Sequence, residues 1–142
     1  MYGRAMWAVS CLASLGFVAT AVMGMRGGGF ETGHLFAALA STLVLAFTQV
    51  WGILYLRLAG REVRGDGTGS VWTDVALPLA VIASALASFG LGGAAFGHSP
   101  LGAWHGAAFW VSLGLQALAL ALSRRRLRAL DRALAQAVGQ GA

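Results

Sequence analysis

The sequence predicts an all-α fold: an integral membrane up-down four-helix bundle followed by a C-terminal amphipathic helix. Three observations carry this expectation. The 142 residues are 58% hydrophobic and only 11% charged, with a mean hydropathy of +0.72, which is not the balance of a water-soluble domain. Four windows reach the ~20 apolar residues that cross a bilayer as helix. Between Val75 and Ser123 there is no Asp, Glu, Lys or Arg, where a soluble bundle would need a charged face.

The first span covers residues 5–25. Arg4 before an apolar run and Ala19-Thr20-Ala21 also suit a secretory signal, but the run exceeds the usual apolar core of about 7–15 residues, so a span is preferred. Its single cysteine, Cys11, has no partner for a disulfide within the chain and reads as a small core residue. The connection "RGGGFETG" (26–33) is a glycine-rich turn. No strand precedes it, so it does not read as a phosphate cradle. The second span covers 33–58, and the hydrophilic stretch "AGREVRGDGTGS" (59–70) after it is expected to be a mobile connection.

The third span covers 72–96. Asp74 near its start suits the positive end of the helix dipole and a pairing with Arg57 or Arg61. Pro78 is expected to kink this helix or to mark its first turn, because it lacks an N–H and crowds the preceding turn. After the turn "FGHSPLG" (96–102) the fourth span covers 101–123. Connections this short make consecutive helices antiparallel neighbours. Residues 1–123 thus form the membrane domain, and residues 124–142 a basic tail. In the tail Leu127, Leu130, Leu134 and Val138 recur at helical spacing opposite Arg128, Asp131, Arg132 and Gln136. It continues the fourth span or bends onto the headgroups, and Arg124, Arg125, Arg126, Arg128 and Arg132 are candidates for contact with lipid phosphate or a partner subunit.

All ten basic residues are arginine. In a four-span topology nine share the side of the two termini, and Arg26 alone faces the other. The positive-inside rule then places both termini in the cytoplasm and the bundle in the inner membrane. The +5 charge is explained by membrane lipids as partners, and no basic-aromatic pattern asks for nucleic acid.

Two spans carry polar stripes. At about 100° per residue His34, Ser41, Thr48, Gln49, Gly52 and Tyr55 share a face. His105, Ser112, Gln116 and Ser123 align in the same way. In lipid these side chains should face the other helices, as interhelical hydrogen bonds. Ser10, Ser14, Ser84, Ser88, Gly90, Gly92 and Gly93 read as small residues that let helices approach. Trp7, Trp51, Trp72, Trp104 and Trp110 lie mostly near span ends and read as interface anchors.

His34 and His105 lie near the outer ends of two spans that run in the same direction, so they should sit at similar depth; His98, Glu31, Met23 and Met25 are on the same side. Four readings suit this gathering. One b-type haem takes axial ligands from His34 and His105, with Met23, Met25 or His98 as alternatives. A copper or zinc ion uses His34, His98 and His105 with Glu31. A quinone bonds His34 or His105 together with Gln49 or Gln116, with Ser112 alongside. Finally, the histidines are structural and bond each other, a backbone carbonyl or water. No Ser/His/Asp triad, paired carboxylates, Walker loop or CxxC is present, so no enzyme activity of its own is expected.

In "GHLFAAL" (33–39), "YLRLAGREV" (55–63), the Pro78 helix ending in "GLGG" (90–93), "WHG" (104–106) and the tail "RRRLRALDRAL", the chain resembles a family of small bacterial four-span membrane proteins. The resemblance covers most of the length and implies the four-span fold, with His34 and His105 as family features; it implies no activity. The layout is also similar to haem-bearing membrane anchors of succinate dehydrogenase type, an analogy of arrangement. The resulting expectation is a subunit of a larger membrane complex. It carries haem for electron transfer with a quinone pool, or it is a cofactor-free accessory subunit whose arginine-rich tail docks a partner.

Overall fold

The computed structural model describes residues 2–26, 31–64 and 70–140, and these are almost entirely helical. α1 is Tyr2–Arg26, α2 Glu31–Arg64, α3 Leu77–Phe96 and α4 His105–Gln140; a π-helical turn, Trp72–Ala76, leads into α3 and a 3-10 turn, Pro100–Trp104, into α4. Each helix packs on its neighbour in sequence and α1 closes the ring against α4. α2 and α4 also touch across the diagonal, whereas α1 and α3 do not meet among the described residues. All four helices are long and apolar enough to cross a membrane.

The packing is arranged for lipid. Leu12, Leu15, Phe36, Leu43, Phe47 and Val111 point outward, whereas Thr42, Thr48, Gln49, Ser88, Ser112 and Gln116 are buried. An exposed apolar surface on this scale is what hydrocarbon accepts and water does not. Within the bundle Ala13, Phe17, Leu45, Leu77, Val81, Ala85 and Ala119 form the apolar core.

Two helices outrun the bilayer. At 1.5 Å per residue, the 34 residues of α2 and the 36 of α4 measure about 50 Å or more against a hydrocarbon thickness of about 30 Å. α2 does not end at 58 but continues through Arg64, so the first half of the expected mobile connection is helix; residues 65–69 lie outside the described residues. The polar residues Arg61, Glu62 and Arg64 end an apolar run without ending a helix, because neither Pro nor a strong cap intervenes. The tail likewise continues α4 without a break. Pro78 falls in the first turn of α3, directly after the π-helical turn. A residue without an N–H leaves the carbonyl one turn back unclaimed, and the wider π turn absorbs that mismatch.

Candidate functional site: a histidine pair inside one end of the bundle

The structure brings His34 and His105 together. Their ring centroids are 6.4 Å apart with planes at 78°. Each ring is held by the helix that precedes its own. Nδ1 of His34 lies 2.6 Å from the Thr20 carbonyl oxygen, and Nδ1 of His105 lies 2.8 Å from that of Ser88. A carbonyl only accepts, so Nδ1–H donates in both cases, and in a neutral ring this leaves the lone pair on Nε2. This is the tautomer of an imidazole ready to bind a metal through Nε2, with a backbone carbonyl fixing the ring from behind.

Glycine makes the approach possible. A Cβ at Gly24 would lie 2.9 Å from Cε1 of His34, and a Cβ at Gly92 would lie 2.9 Å from Cε1 of His105. A side chain at either position would require the ring or the helix that carries the glycine to shift. Gly90, Gly93 and Gly106 at the same end face open space. Below the pair, toward the arginine end, Phe17 and Phe109 stack with centroids 5.0 Å apart and planes 10° apart. They give the site an apolar floor.

The donor set decides which metal chemistry fits. At about 2 Å from each imidazole nitrogen to a shared ion, two rings on opposite sides of one metal have centroids about 6 Å apart, close to the observed spacing. Among the described residues no group of three His, Cys, Asp or Glu side chains could hold a metal ion. A bare copper or zinc ion needs three or four protein ligands, so the expected set of His34, His98 and His105 does not assemble. His98 stands exposed on the turn after α3, with φ of 58°. The side chain of Glu31 lies outside the described residues. A haem iron needs only two protein ligands, because the porphyrin supplies four. Of the alternative ligands, Met25 is 77% exposed and points away, and the Met23 methyl packs toward Gly33.

The other expected contacts are elsewhere. Gln49 is 15 residues along α2 from His34, and Gln116 is 11 along α4 from His105, which puts them roughly 22 and 16 Å away along the axis. One quinone ring cannot bond a histidine and either glutamine at once, and that arrangement is withdrawn. Ser112 and Gln116 instead bond each other, with Gln116 Nε2 donating to Ser112 Oγ at 3.0 Å, and among the described residues Gln116 Oε1 and Thr42 Oγ1 are buried without a partner. Two stripe hydroxyls bond within their own helix, Thr48 to the Leu45 carbonyl and Ser123 to that of Leu120, as does Ser84 of α3 to that of Val81, whereas Tyr55 reaches across to Asp131. The stripes face inward, but a hydroxyl three or four residues above a carbonyl finds that carbonyl first.

The arginine end is closed by a separate network. Asp74, 1% exposed, pairs with Arg126 of α4, and Thr73 bonds both. Arg126, rather than Arg57, is the described partner of Asp74; the Arg61 side chain lies outside the described residues. Tyr55 Oη donates to Asp131 Oδ1 at 3.0 Å, and the Gly3 N–H reaches the same oxygen at 3.3 Å. Leu127 and Leu130 are buried, so the first turns of the tail belong to the bundle. Arg125, Arg128 and Arg132 remain exposed. Arg124 is exposed too, and lies over the Trp7 ring at 5.0 Å. Trp7 donates Nε1–H to the Leu120 carbonyl at 3.1 Å, so it joins helices rather than only anchoring. A cavity of about 40 Å³ lies just inside this end, lined in part by Ser10, Gln49, Thr73 and Ser123.

No family model, curated protein or solved structure matches the chain.

Proposed function

We propose that this protein is a small integral membrane subunit that holds one b-type haem between His34 and His105 for electron transfer. The observation that carries this reading is a pair of imidazoles 6.4 Å apart, each fixed through Nδ1 to a main-chain carbonyl of another helix. Bound there, haem supplies one-electron redox chemistry. His34 and His105 would hold the group, with their rings fixed through Nδ1 to the carbonyls of Thr20 and Ser88 and packed against Gly24 and Gly92, and Phe17 and Phe109 would floor the site. The arginine distribution supports both termini in the cytoplasm, and hence the histidine end on the outer face of the inner membrane.

The test is titration of haem into the detergent-purified chain. One equivalent should produce a sharp Soret band, which the His34→Ala/His105→Ala double variant does not develop although its helicity is intact. A wild-type spectrum identical to that of free haem in the same detergent would end this reading.

A second reading is favoured by the same hydrogen bonds: the histidines tie α1 to α2 and α3 to α4 without any ligand, in a cofactor-free accessory subunit. Under it each single histidine variant loses thermal stability and added haem protects none of them.

A further inference from the structure

The site is built twice. Thr20 and Gly24 stand four residues apart on α1, and Ser88 and Gly92 stand four apart on α3; His34 and Ser41 stand seven apart on α2, and His105 and Ser112 seven apart on α4. Each α3 member falls 68 positions after its α1 counterpart, and each α4 member 71 after its α2 counterpart. Burial keeps this register at four positions of α1 and α3 and at two of α2 and α4, although Thr42 and Gln49 are buried where Leu113 and Leu120 are half-buried. Ser10, Ala13, Phe17 and Thr20 are buried on α1, and so are Pro78, Val81, Ala85 and Ser88 on α3. Leu45 and Thr48 on α2 answer to Gln116 and Ala119 on α4. The three added positions fall between the second pair of helices, where the 3-10 turn lies.

The two halves agree in chemistry as well as in position. Each supplies a helix carbonyl to Nδ1, a glycine one turn further along that helix, and a ring whose Cε1 would meet a Cβ there at 2.9 Å. We infer that the chain is a tandem pair of half-sites, that Gly24 and Gly92 are positioning residues for the two imidazoles, and that the ligand they receive presents two equivalent faces. A metal macrocycle has such faces; an ion with an irregular donor set does not. This rests on the haem reading and adds to it that His34 and His105 would hold the group equally, so that with both rings bound no position would remain for a small molecule.

Haem titration of the full-length chain tests this, read by absorption spectrum, affinity and carbon monoxide binding after reduction. The wild type is expected to be six-coordinate and low-spin and not to bind carbon monoxide. His34→Ala and His105→Ala should give the same five-coordinate, carbon monoxide-binding species, with affinities within about threefold of each other. Gly24→Ala and Gly92→Ala displace a ring from its carbonyl, so each should weaken haem about 10–100-fold and add a high-spin fraction. Gly90→Ala, which meets nothing within 4 Å, should leave the spectrum unchanged and controls for helix propensity. If Gly24→Ala folds poorly, Gly24→Ala/His34→Ala should fold like His34→Ala, because the clash has gone. Unequal spin states in the two histidine variants, or wild-type spectra in both glycine variants, would overturn the paired half-sites while leaving haem binding in place. No haem binding by the wild type would remove the proposed function and this inference with it.

Discussion

At the residue scale, the membrane makes each buried polar atom count. Asp74 is 1% exposed and Arg126 24% exposed, so the two sides of this ion pair are not equivalent. Removing the guanidinium leaves a carboxylate that cannot reach water, and Arg126→Ala should destabilise the bundle by about 3–5 kcal/mol. Asp74→Asn should be milder, because the long arginine side chain can turn to the headgroups. Thermal melts in detergent that reverse this order would contradict the assignment of Asp74 as the enclosed partner. Gln116 poses the opposite case. Its Oε1 has no partner among the described residues, and an unpaired buried acceptor costs about 1–3 kcal/mol. Gln116→Leu is therefore expected to be neutral or stabilising in the same melts, and a clear loss of stability would mean that the amide serves a partner such as an ordered water. Leu45, with no exposed surface, has no such ambiguity: Leu45→Ala should lose about 2–5 kcal/mol through the cavity it leaves.

At the scale of elements, the spans were legible because charge disappears from the chain where helices enter lipid. The helix ends were not, because a polar run such as Arg61-Glu62-Val63-Arg64 changes the solvent of a helix without changing its conformation. The inward direction of the polar stripes was legible from spacing alone. Which groups they bond was not, since local carbonyls compete with distant side chains, and Asp74 and Arg126 are 52 positions apart. The tail shows the same limit. Its leucine periodicity predicts an amphipathic helix and leaves open what covers it; the structure covers Leu127 and Leu130 with the bundle itself and leaves Val138 exposed. Truncation after Arg132 should accordingly leave the melting temperature nearly unchanged. Truncation after Ser123 removes Arg126, Leu127, Leu130 and Asp131 together and should lower it sharply. Equal melting temperatures for the two truncations would show that the tail contributes nothing to the fold.

At the scale of the whole molecule, the chain has two unlike ends. One carries the Asp74–Arg126 ion pair and the Tyr55–Asp131 hydrogen bond; the other holds two imidazoles beside glycines. The meeting of His34 and His105 was readable from their similar depth, each within about two turns of the same end of two spans that run in the same direction. The glycines that seat the rings were not, because a glycine announces only what is missing, and the repeat linking Gly24 to Gly92 runs at a different interval from the one linking the histidines. Reporter fusions at residues 1 and 142 should both read as cytoplasmic, and a fusion in the turn at 97–99 as external; a signal of the opposite kind at either terminus would overturn the orientation drawn from the arginines.

The most direct test of the haem assignment is the reduced-minus-oxidised spectrum and haem content of the chain purified from the membranes of cells making it with haem in ample supply. One haem per chain with a low-spin spectrum, lost when both histidines are alanine, is the result expected here. A colourless preparation with its four helices intact would contradict it.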